Sequence, residues 1–465
     1  MENTIVSKIR IFRKIIIQGI FIALIIQPAS AQSLFDSISG SATKDIETGG
    51  FLRSGLYINS PDNNTGIPVS FSDLSLNMEA GNGVKYRAYA DLRYRYGSEY
   101  GERVNSPVLR EAWAAWYTPY SELKAGKQIV TWSRMDIFNL QDVSGPRNDL
   151  YRSFDSADRY LGNVALDITL MPADNFSINA LIIPEHRSSV LYTDFIDLPE
   201  IINIQNLSSS PDNYVSYGLR AKIYLKNFSA DISYFDGYNP LPGLSLDSIN
   251  IQSANDQPVI SLKETTYKIR SLSASMDLVT SKAILRTEAI WIDPDLDYRS
   301  SEHVMLPEVK WAAGLEYLMG DIRLIAEYSG KYILDFEEPD FEPVLPEESS
   351  FNDIIALPPA QAFEYTRLQI ASFNRLYNYQ LQETSHYAGL NLTYDKGFSR
   401  LVPSISLIYN ITADEYMISP RLEIKPVENT RIVAGAELYY GPDNSLFDLI
   451  NDRLNSVFAG LRIDF

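Results

Sequence analysis

The sequence predicts an all-β fold: a transmembrane antiparallel β-barrel of about 18 strands, with 16 as the alternative count, long extracellular loops and short periplasmic turns. Three observations predict it. Polar and apolar side chains alternate over segments of about ten residues, which suits strands that cross a bilayer. Short and long connections alternate along the chain. The two ends carry an export signal and an aromatic terminal strand.

The segment KYRAYADLRYRY, Lys85 to Tyr96, shows the alternation most clearly. Successive residues of a strand point to opposite faces, so one face of this segment is small and apolar in the middle with tyrosines at its ends. The other face carries Lys85, Arg87, Tyr89, Asp91, Arg93 and Arg95. If the apolar face meets lipid, the charged face lines a water-filled interior.

Residues 1–31 have the pattern of a secretory signal peptide. Basic residues precede a twelve-residue apolar stretch, 15–26, and an Ala-Ser-Ala cleavage site follows. A membrane anchor is the alternative, but the stretch is shorter than the roughly 20 residues of a spanning helix. We expect cleavage after Ala31, a short periplasmic segment at 32–46, and the barrel at 47–465.

Composition narrows the functional classes. The chain has no cysteine, which excludes disulfides and thiolate metal sites. Without the signal peptide it keeps 36 basic and 58 acidic residues, a formal charge of −22, so we expect no nucleic-acid partner. Thirty tyrosines and twenty phenylalanines fit the aromatic girdles of a membrane barrel.

The alternation recurs along the chain, and the connections between its segments are of two kinds. Further apolar stripes begin at Leu74, Val164, Phe176, Val215, Phe228, Trp311, Ile322, Ala388 and Ile432. Turns such as Gly81-Asn82 alternate with long connections at about 59–70, 97–106, 133–158, 186–213, 237–264, 294–305, 333–383 and 441–454, with a shorter one at 411–415. The irregular pattern at 265–278 predicts a β-bulge.

An even strand number puts both termini on the periplasmic side, and the sheet must close because lipid cannot satisfy an open edge. The last strand ends in Phe465, with an apolar face from Val457 onward. This ending resembles the signature read by the barrel-insertion machinery, which we therefore expect as a partner beside outer-membrane lipid and lipopolysaccharide. A soluble β-sandwich is the alternative fold.

A barrel of this size is too wide for side chains to fill, so it holds an aqueous channel unless a loop folds inward. We expect the third loop, 133–158, to do so, with Arg134, Asp136 and Asp142 facing a basic ladder. The predicted site comprises Lys85, Arg87, Asp91, Arg93, Arg95, Arg134, Asp136 and Asp142. Opposed charges in a narrow throat would select small polar or anionic solutes. In the alternative, the lumen charges only pair with each other to stabilise the wall.

The longest loop, 333–383, combines an acidic, proline-rich stretch with a short predicted helix on which Phe363, Leu368 and Ala371 share one face. It is either a lid over the channel mouth or a solvated surface loop. Its acidic spacing matches no ordered calcium loop, so we predict neither a metal site nor a cofactor.

An enzyme is the weaker interpretation. The sequence has three histidines, His186, His303 and His386, and the first two fall in predicted loops and the third near the outer rim. None of them belongs to a catalytic motif. The short segment before the first strand also leaves no room for the folded plug of an energised transporter.

Two segments resemble the porin superfamily, most closely its large, poorly characterised branch. Leu109-Arg-Glu-Ala and LKAGKQIVTW, 123–132, look like the family's G-[KR]-Q-x-x-x-W-G strand before a long third loop, with Ser133 in place of the glycine. Residues 440–450, YGPDNSLFDLI, look like its last loop. The resemblance implies a channel for passive or substrate-selective diffusion, as a monomer or a homotrimer. A loop-closed barrel acting in binding, adhesion or export is the alternative.

Overall fold

The structure is a computed structural model that describes residues 46–59, 66–82, 84–191, 202–205, 215–250, 259–297, 299–339, 341, 357–397 and 400–465. The expected signal peptide lies outside the described residues, as does nearly all of the segment 32–46.

Within these ranges the chain forms 21 strands and two α-helices. The strands are β1 (Ile46–Asn59), β2 (Gly66–Gly81), β3 (Tyr86–Glu99), β4 (Glu102–Thr118), β5 (Ser121–Gln128), β6 (Asn163–Ala173), β7 (Phe176–Ile183), β8 (Ile202–Gln205), β9 (Ser216–Leu225), β10 (Phe228–Tyr238), β11 (Gly243–Asn250), β12 (Val259–Thr265), β13 (Lys268–Val279), β14 (Ala283–Pro294), β15 (Glu308–Met319), β16 (Ile322–Ile333), β17 (Thr384–Tyr394), β18 (Leu401–Asn410), β19 (Glu415–Val427), β20 (Thr430–Tyr440) and β21 (Ser456–Asp464). The helices are α1 (Pro359–Tyr377) and α2 (Leu446–Leu454).

Eighteen of the strands form one closed antiparallel barrel. Each barrel strand hydrogen-bonds to the next one along the chain, and β1 pairs with β21, so the ring has no free edge. Closure gives each strand of the ring a hydrogen-bonded neighbour on both sides, which a strand in hydrocarbon needs. The predicted fold and its count of 18 are confirmed. The remaining strands, β8, β11 and β12, form a separate three-stranded sheet.

Two predictions about the connections are wrong. The long loop expected at 97–106 is a tight turn at Tyr100-Gly101, where φ is 50° and 95°, because β3 and β4 extend further than the alternation suggested. The bulge expected at 265–278 is also missing, since β13 pairs in unbroken register with β10 and β14. A register shift does occur nearby, between Leu246 and Ser248 in the separate sheet.

The outward face of the barrel is apolar and exposed, as the alternation predicts. Met78, Leu92, Leu219 and Ile232 stand on this face with roughly half of each side chain accessible. Aromatic residues border the apolar band at both strand ends. Those near the long loops include Tyr94, Tyr217, Tyr234, Trp291, Tyr416 and Tyr440, and those near the short turns include Tyr86, Trp116, Tyr120 and Tyr394.

The long loops pack together on one side of the barrel into a unit that we call the roof, made of β8, β11, β12, α1 and α2. Leu244, Ile260, Ile370, Phe373 and Leu446 share its buried apolar cluster. The loop carrying β11 and β12 and the loop carrying α2 leave the ring from nearly opposite sides, eight strands apart. Their common core therefore lies across the mouth of the barrel.

Helix α1 is part of the roof, so this part of the longest loop is packed and not a solvated surface loop, which was one of the two alternatives. Its buried face runs through Ala362, Thr366, Ile370 and Phe373, whereas Phe363 is exposed. The predicted face of Phe363, Leu368 and Ala371 is thus wrong. Buried Asn374 holds the helix in place: its side chain accepts from the Leu244 backbone N–H at 2.9 Å and donates to the Leu244 carbonyl at 2.8 Å.

Candidate constriction site in the barrel lumen

The third loop, which we define as 129–162 between β5 and β6, lies inside the barrel and touches both walls. It turns back on itself just after β5. There the Asp142 carboxylate accepts hydrogen bonds from the backbone N–H groups of Trp132 at 2.6 Å and Ser133 at 2.9 Å. Burial raises the pKa of Asp142, while these two backbone donors favour its ionised form. Asp142 therefore shapes the entry of the loop.

The outgoing arm of the loop is bound to the wall formed by β10, β13, β14 and β16. Arg134 donates to Asp231 at 2.8 Å and to Asp277 at 2.6 Å. Asp136 pairs with Arg286 at 2.7 Å. The Glu327 carboxylate accepts from the backbone N–H groups of residues 136–138 at 2.7, 3.0 and 2.9 Å. Wall carboxylates thus satisfy loop backbone that would otherwise be buried without partners.

The returning arm is bound to the opposite wall, near the seam of β1 and β21. Asp158 accepts from Arg53 at 2.6 Å and from Arg93 at 2.7 Å, and Arg53 also contacts Asp73 at 2.8 Å. Burial opposes ionisation of Asp158, but these two guanidinium groups outweigh it and hold its pKa well below the usual range. Asp155 joins the same network through Arg462, at 2.6 Å.

Aromatic packing holds the returning arm against the wall. Phe154 packs among Tyr57, Phe71 and Phe458, with ring centroids 5.8 to 6.3 Å away. Its ring occupies the space that a side chain at Gly460 would fill, because a Cβ there would stand 1.9 Å from the ring. The glycine is therefore required by the docked loop rather than by the strand.

Six of the predicted site residues belong to these anchoring contacts: Arg134 and Asp136 of the outgoing arm, and four more. Arg95 is buried, contacts Glu99 at 2.6 Å and Asp73 at 3.4 Å, and donates to the Arg152 carbonyl at 2.9 Å. Asp91 is also buried and pairs with Arg93 at 3.1 Å. Asp91, Arg93 and Arg95, together with Asp142, therefore position the loop. The alternative interpretation, in which the lumen charges pair with one another, describes Asp91, Arg93 and Arg95.

Two predicted basic residues remain accessible at the end of β3 that adjoins the short β2–β3 turn. Arg87 forms a two-pronged pair with Glu79, at 2.6 and 2.7 Å, and its side chain is 41% exposed. Lys85 is exposed beside the β2–β3 turn. Arg134 and Asp136 are placed on the loop, as expected, but they face β10, β13 and β14 rather than the basic residues of β3.

A cavity of about 460 Å³ lies between the third loop and β4. It combines charged, polar and aromatic groups: Arg110, Glu111, Ile129, Thr131, Ser133, Met135, Asp136, Asn139, Asp142, Ala157 and Tyr160. Its Arg110 contacts Asp158 at 3.3 Å, and its Asp136 contacts Arg286. Charges of both signs thus face the same small space.

Two residues that hold the loop, Arg53 and Asp73, escaped the sequence prediction. They stand on inward positions of β1 and β2, where the alternation could have revealed them. The inner wall also carries the carboxylates Asp73, Glu79 and Asp277, each paired with an arginine.

The histidines show no catalytic arrangement. His186 is buried and contacts Ser188 at 3.2 Å, while His386 accepts from or donates to the Tyr328 hydroxyl at 2.8 Å. No group of three or more His, Asp and Glu side chains in the described ranges could hold a metal ion. Among the described helices, none is long and apolar enough to cross a bilayer.

The fold is shared with solved bacterial channels. The chain aligns with OccK2 (OpdF) of Pseudomonas aeruginosa at a TM-score of 0.51 and 10% identity, over 91% of this chain and 97% of that one. The same channel in complex with glucuronate gives a TM-score of 0.51 and 9% identity, over 91% and 98%. OccAB3 of Acinetobacter baumannii gives 0.50 and 11%, over 91% and 99%. No family model and no curated protein matches the sequence.

Proposed function

We propose that the protein is a porin of the bacterial outer membrane, a water-filled channel for passive or substrate-selective diffusion of small polar or anionic solutes, with no enzymatic role. One observation carries the proposal: the third loop lies inside an 18-strand barrel and is tied by ion pairs to both walls. A loop fixed in this way narrows the lumen at a defined level. A lumen lined by charged and polar groups admits hydrated solutes and disfavours apolar ones.

The predicted site residues divide into two roles in this proposal. Lys85 and Arg87 line the passage, because they stay accessible on the inner wall. Asp91, Arg93, Arg95, Arg134, Asp136 and Asp142 act through the position of the loop. Organic anions suit the accessible basic residues, and the glucuronate complex of OccK2 is a structural precedent for such a solute in this fold.

The remaining partners follow from the same proposal. The exposed apolar band faces outer-membrane lipid, and the rim beside the long loops faces lipopolysaccharide. The terminal strand, with Phe465 at its end, is the segment that the barrel-insertion machinery recognises. Monomer and homotrimer are both compatible with the closed ring, since each barrel is complete on its own.

Planar-bilayer recording of the purified mature protein tests the proposal. We expect stepwise increases in current, each step marking the insertion of one channel or one oligomer. Heat-modifiable migration in gels confirms that the same preparation is folded. A folded protein that inserts into bilayers and produces no steps would contradict the channel.

The roof favours a second candidate, a loop-closed barrel that acts in binding, adhesion or export. Its cluster of Leu244, Ile370 and Leu446 joins loops from nearly opposite sides of the mouth. The two candidates differ in a variant that lacks the helix, with residues 357–379 replaced by a Gly-Ser linker. Stepwise increases in current that appear only with this variant favour the closed barrel. Stepwise increases that the full-length chain already produces favour the open pore.

A further inference from the structure

We propose that the outward face of the barrel carries a binding site for the phosphorylated headgroup of lipopolysaccharide, formed by Lys127 and Arg187 beside Gly162. This inference rests on the outer-membrane location that the proposed function includes, and it assigns a lipid partner to particular residues. Lys127 is the last residue but one of β5, Gly162 directly precedes β6, and Arg187 lies in the loop that follows β7.

The strand register places Lys127 on the outward face at the extracellular border. Lys127 stands opposite Val164 of β6, whose side chain is exposed on the apolar outer face. The next outward residue of β6, Leu166, stands opposite Ile182 of β7, which stands opposite Tyr217 of β9 in the aromatic border. Since Val164 is closer to the long loops than Leu166 is, Lys127 lies just beyond this border, at the level of the lipid headgroups.

The two basic side chains lie against the same residue. Arg187 donates through Nη1 to the Gly162 carbonyl at 2.9 Å. A Cβ at Gly162 would stand 3.3 Å from Cγ of Lys127 and 2.7 Å from the Arg110 carbonyl oxygen. The glycine therefore leaves the space in which the lysine side chain lies, and two positive charges meet at one point of the outer wall.

Neither of these charges has a counter-ion in the described part of the chain. No carboxylate there lies within 4.0 Å of Lys127 or Arg187. Burial lowers the pKa of Arg187, and no described carboxylate opposes this effect. The nearest acidic residue along the chain, Glu185, is exposed. Two partly buried cations that repel each other favour binding of an anion from outside, and a phosphate can accept hydrogen bonds from both.

A basic residue at the same border on another side of the barrel has its own counter-ions. The row that contains Tyr217 continues to Asp236 of β10 and to Arg270 of β13. Arg270 contacts Asp295 at 3.0 Å and Asp293 at 3.8 Å. Its charge is therefore compensated within the protein, which makes Arg270 a matched control for the pair at β5 to β7.

The outer face next to the two cations is smooth enough for an acyl chain. Lys127 stands opposite Ala112 of β4, and Ala125 of β5 stands opposite Ala114. The outward residues that follow on β3 are alanines as well. A phosphate bound to the cations would thus have its attached acyl chains beside a flat methyl surface, from which a free phosphate ion would gain nothing. In the alternative, Lys127 only extends toward water, and Arg187 only holds the end of the third loop.

Native mass spectrometry of the purified mature protein, titrated with lipid in detergent micelles, separates these interpretations. The probes are lipid A with both of its phosphates and the same lipid with the phosphates removed. We expect the phosphorylated form to bind about 25-fold more tightly, as two basic residues near a membrane surface predict. Inorganic phosphate at the concentration of the lipid should not displace it. Displacement by inorganic phosphate at that concentration would assign the site to the free ion and overturn the lipid partner.

Variants assign the binding to the pair. Lys127→Gln and Arg187→Gln should each weaken binding of phosphorylated lipid A about fivefold, and the double variant about 25-fold, which corresponds to about 1 kcal/mol for each basic residue. The control Arg270→Gln should leave the affinity unchanged. None of the three substitutions should alter the affinity for the lipid without phosphates.

The outcomes distinguish this site from the proposed channel. Equal affinity for the two lipids, or unchanged affinity in the double variant, would overturn the site and leave the channel standing. Absence of conductance in the folded wild type would instead overturn the channel. If the double variant fails to fold, amine acetylation of the wild type provides the comparison: phosphorylated lipid A should slow acetylation of Lys127 and not that of Lys226, which is exposed in the turn between β9 and β10. An unchanged rate at Lys127 would also overturn the site.

Discussion

Arg53 of the first barrel strand donates a hydrogen bond to Asp158 of the third loop at 2.6 Å, although the two residues are 105 positions apart in the sequence. Both side chains are almost fully buried. The pair is therefore a fixed tie between wall and loop, and its removal should release one end of the constriction.

Asp158→Asn should loosen the returning arm of the loop. Removing one partner of a buried ion pair costs about 3 to 5 kcal/mol, because the remaining charge keeps its burial without compensation. Arg53 retains Asp73, so we expect the lower end of that range, with larger and noisier single-channel currents. The measurements are conductance and the temperature of heat-modifiable unfolding. Glu79→Gln, at a half-exposed pair, is the control and should change stability by less than about 1 kcal/mol.

Arg87→Ala and Arg95→Ala should have different effects although both residues belong to the same charged face. Arg87 is accessible, so its loss should lower anion preference, seen as a shift of the reversal potential in a tenfold salt gradient toward the cation side. Arg95 is buried between Asp73 and Glu99, so its loss should lower the unfolding temperature. Equal shifts of the reversal potential in both variants would contradict this division.

His186 should make the loop between β7 and β9 sensitive to acid. Burial against Tyr238 and Thr266 lowers its pKa to about 4. Because the unfolded chain takes up the proton at a higher pH, near 6.5, stability is complete above that pH and declines as the pH falls toward the folded pKa. At pH 5 the loss is about 2 kcal/mol.

Hydrogen exchange of residues 186–191, corrected for the intrinsic rate, measures this loss at pH 7 and pH 5. His186→Gln should remove the difference between the two pH values. His386→Gln is the control, because His386 lies on β17, away from this loop. Identical pH dependence in the wild type and His186→Gln would show that other groups control the loop.

Asn374→Ala should destabilise the roof. The side chain of Asn374 is buried and bonds to both backbone groups of Leu244 and to the Glu302 carbonyl at 2.8 Å. Leaving these groups without partners costs about 2 to 3 kcal/mol. We expect more frequent transitions to higher current, with Gln361→Ala, at an exposed position of the same helix, as the control. If the variant shows the same frequency of transitions to higher current as the wild type, the roof does not limit the ion current.

The sequence predicts the barrel well because the bilayer imposes a local rule. Apolar side chains must alternate with polar ones on every spanning strand. The polarity of Leu92 and of Arg93 is therefore enough to assign the first to the outward face and the second to the inward face, without reference to distant residues. The turn at Tyr100-Gly101 was missed because the strands on either side continue beyond the apolar band, where this rule no longer applies.

The site is predicted less well because its conformation depends on partners far away in the chain. The alternation places Arg87, Arg93 and Arg95 on one inward face but does not show which of them the loop covers. That is decided by Asp158 and Tyr151, whose positions depend on contacts with β1, β2 and β3. Likewise, Phe363 and Ile370 both suit an apolar helix face, and only the roof sheet determines which one is buried.

At the seam of the barrel, Arg53 and Arg462 are direct register partners, so joining the first and last strands brings two like charges together. Asp155 of the third loop bridges them, at 3.4 Å from Arg53 and 2.6 Å from Arg462. We therefore expect closure of the ring and insertion of the loop to favour each other, because a ring closed with the loop outside lacks the carboxylate that bridges these two guanidinium groups. The bridge through Asp155 thereby favours an order of assembly in which the closed barrel already contains its third loop.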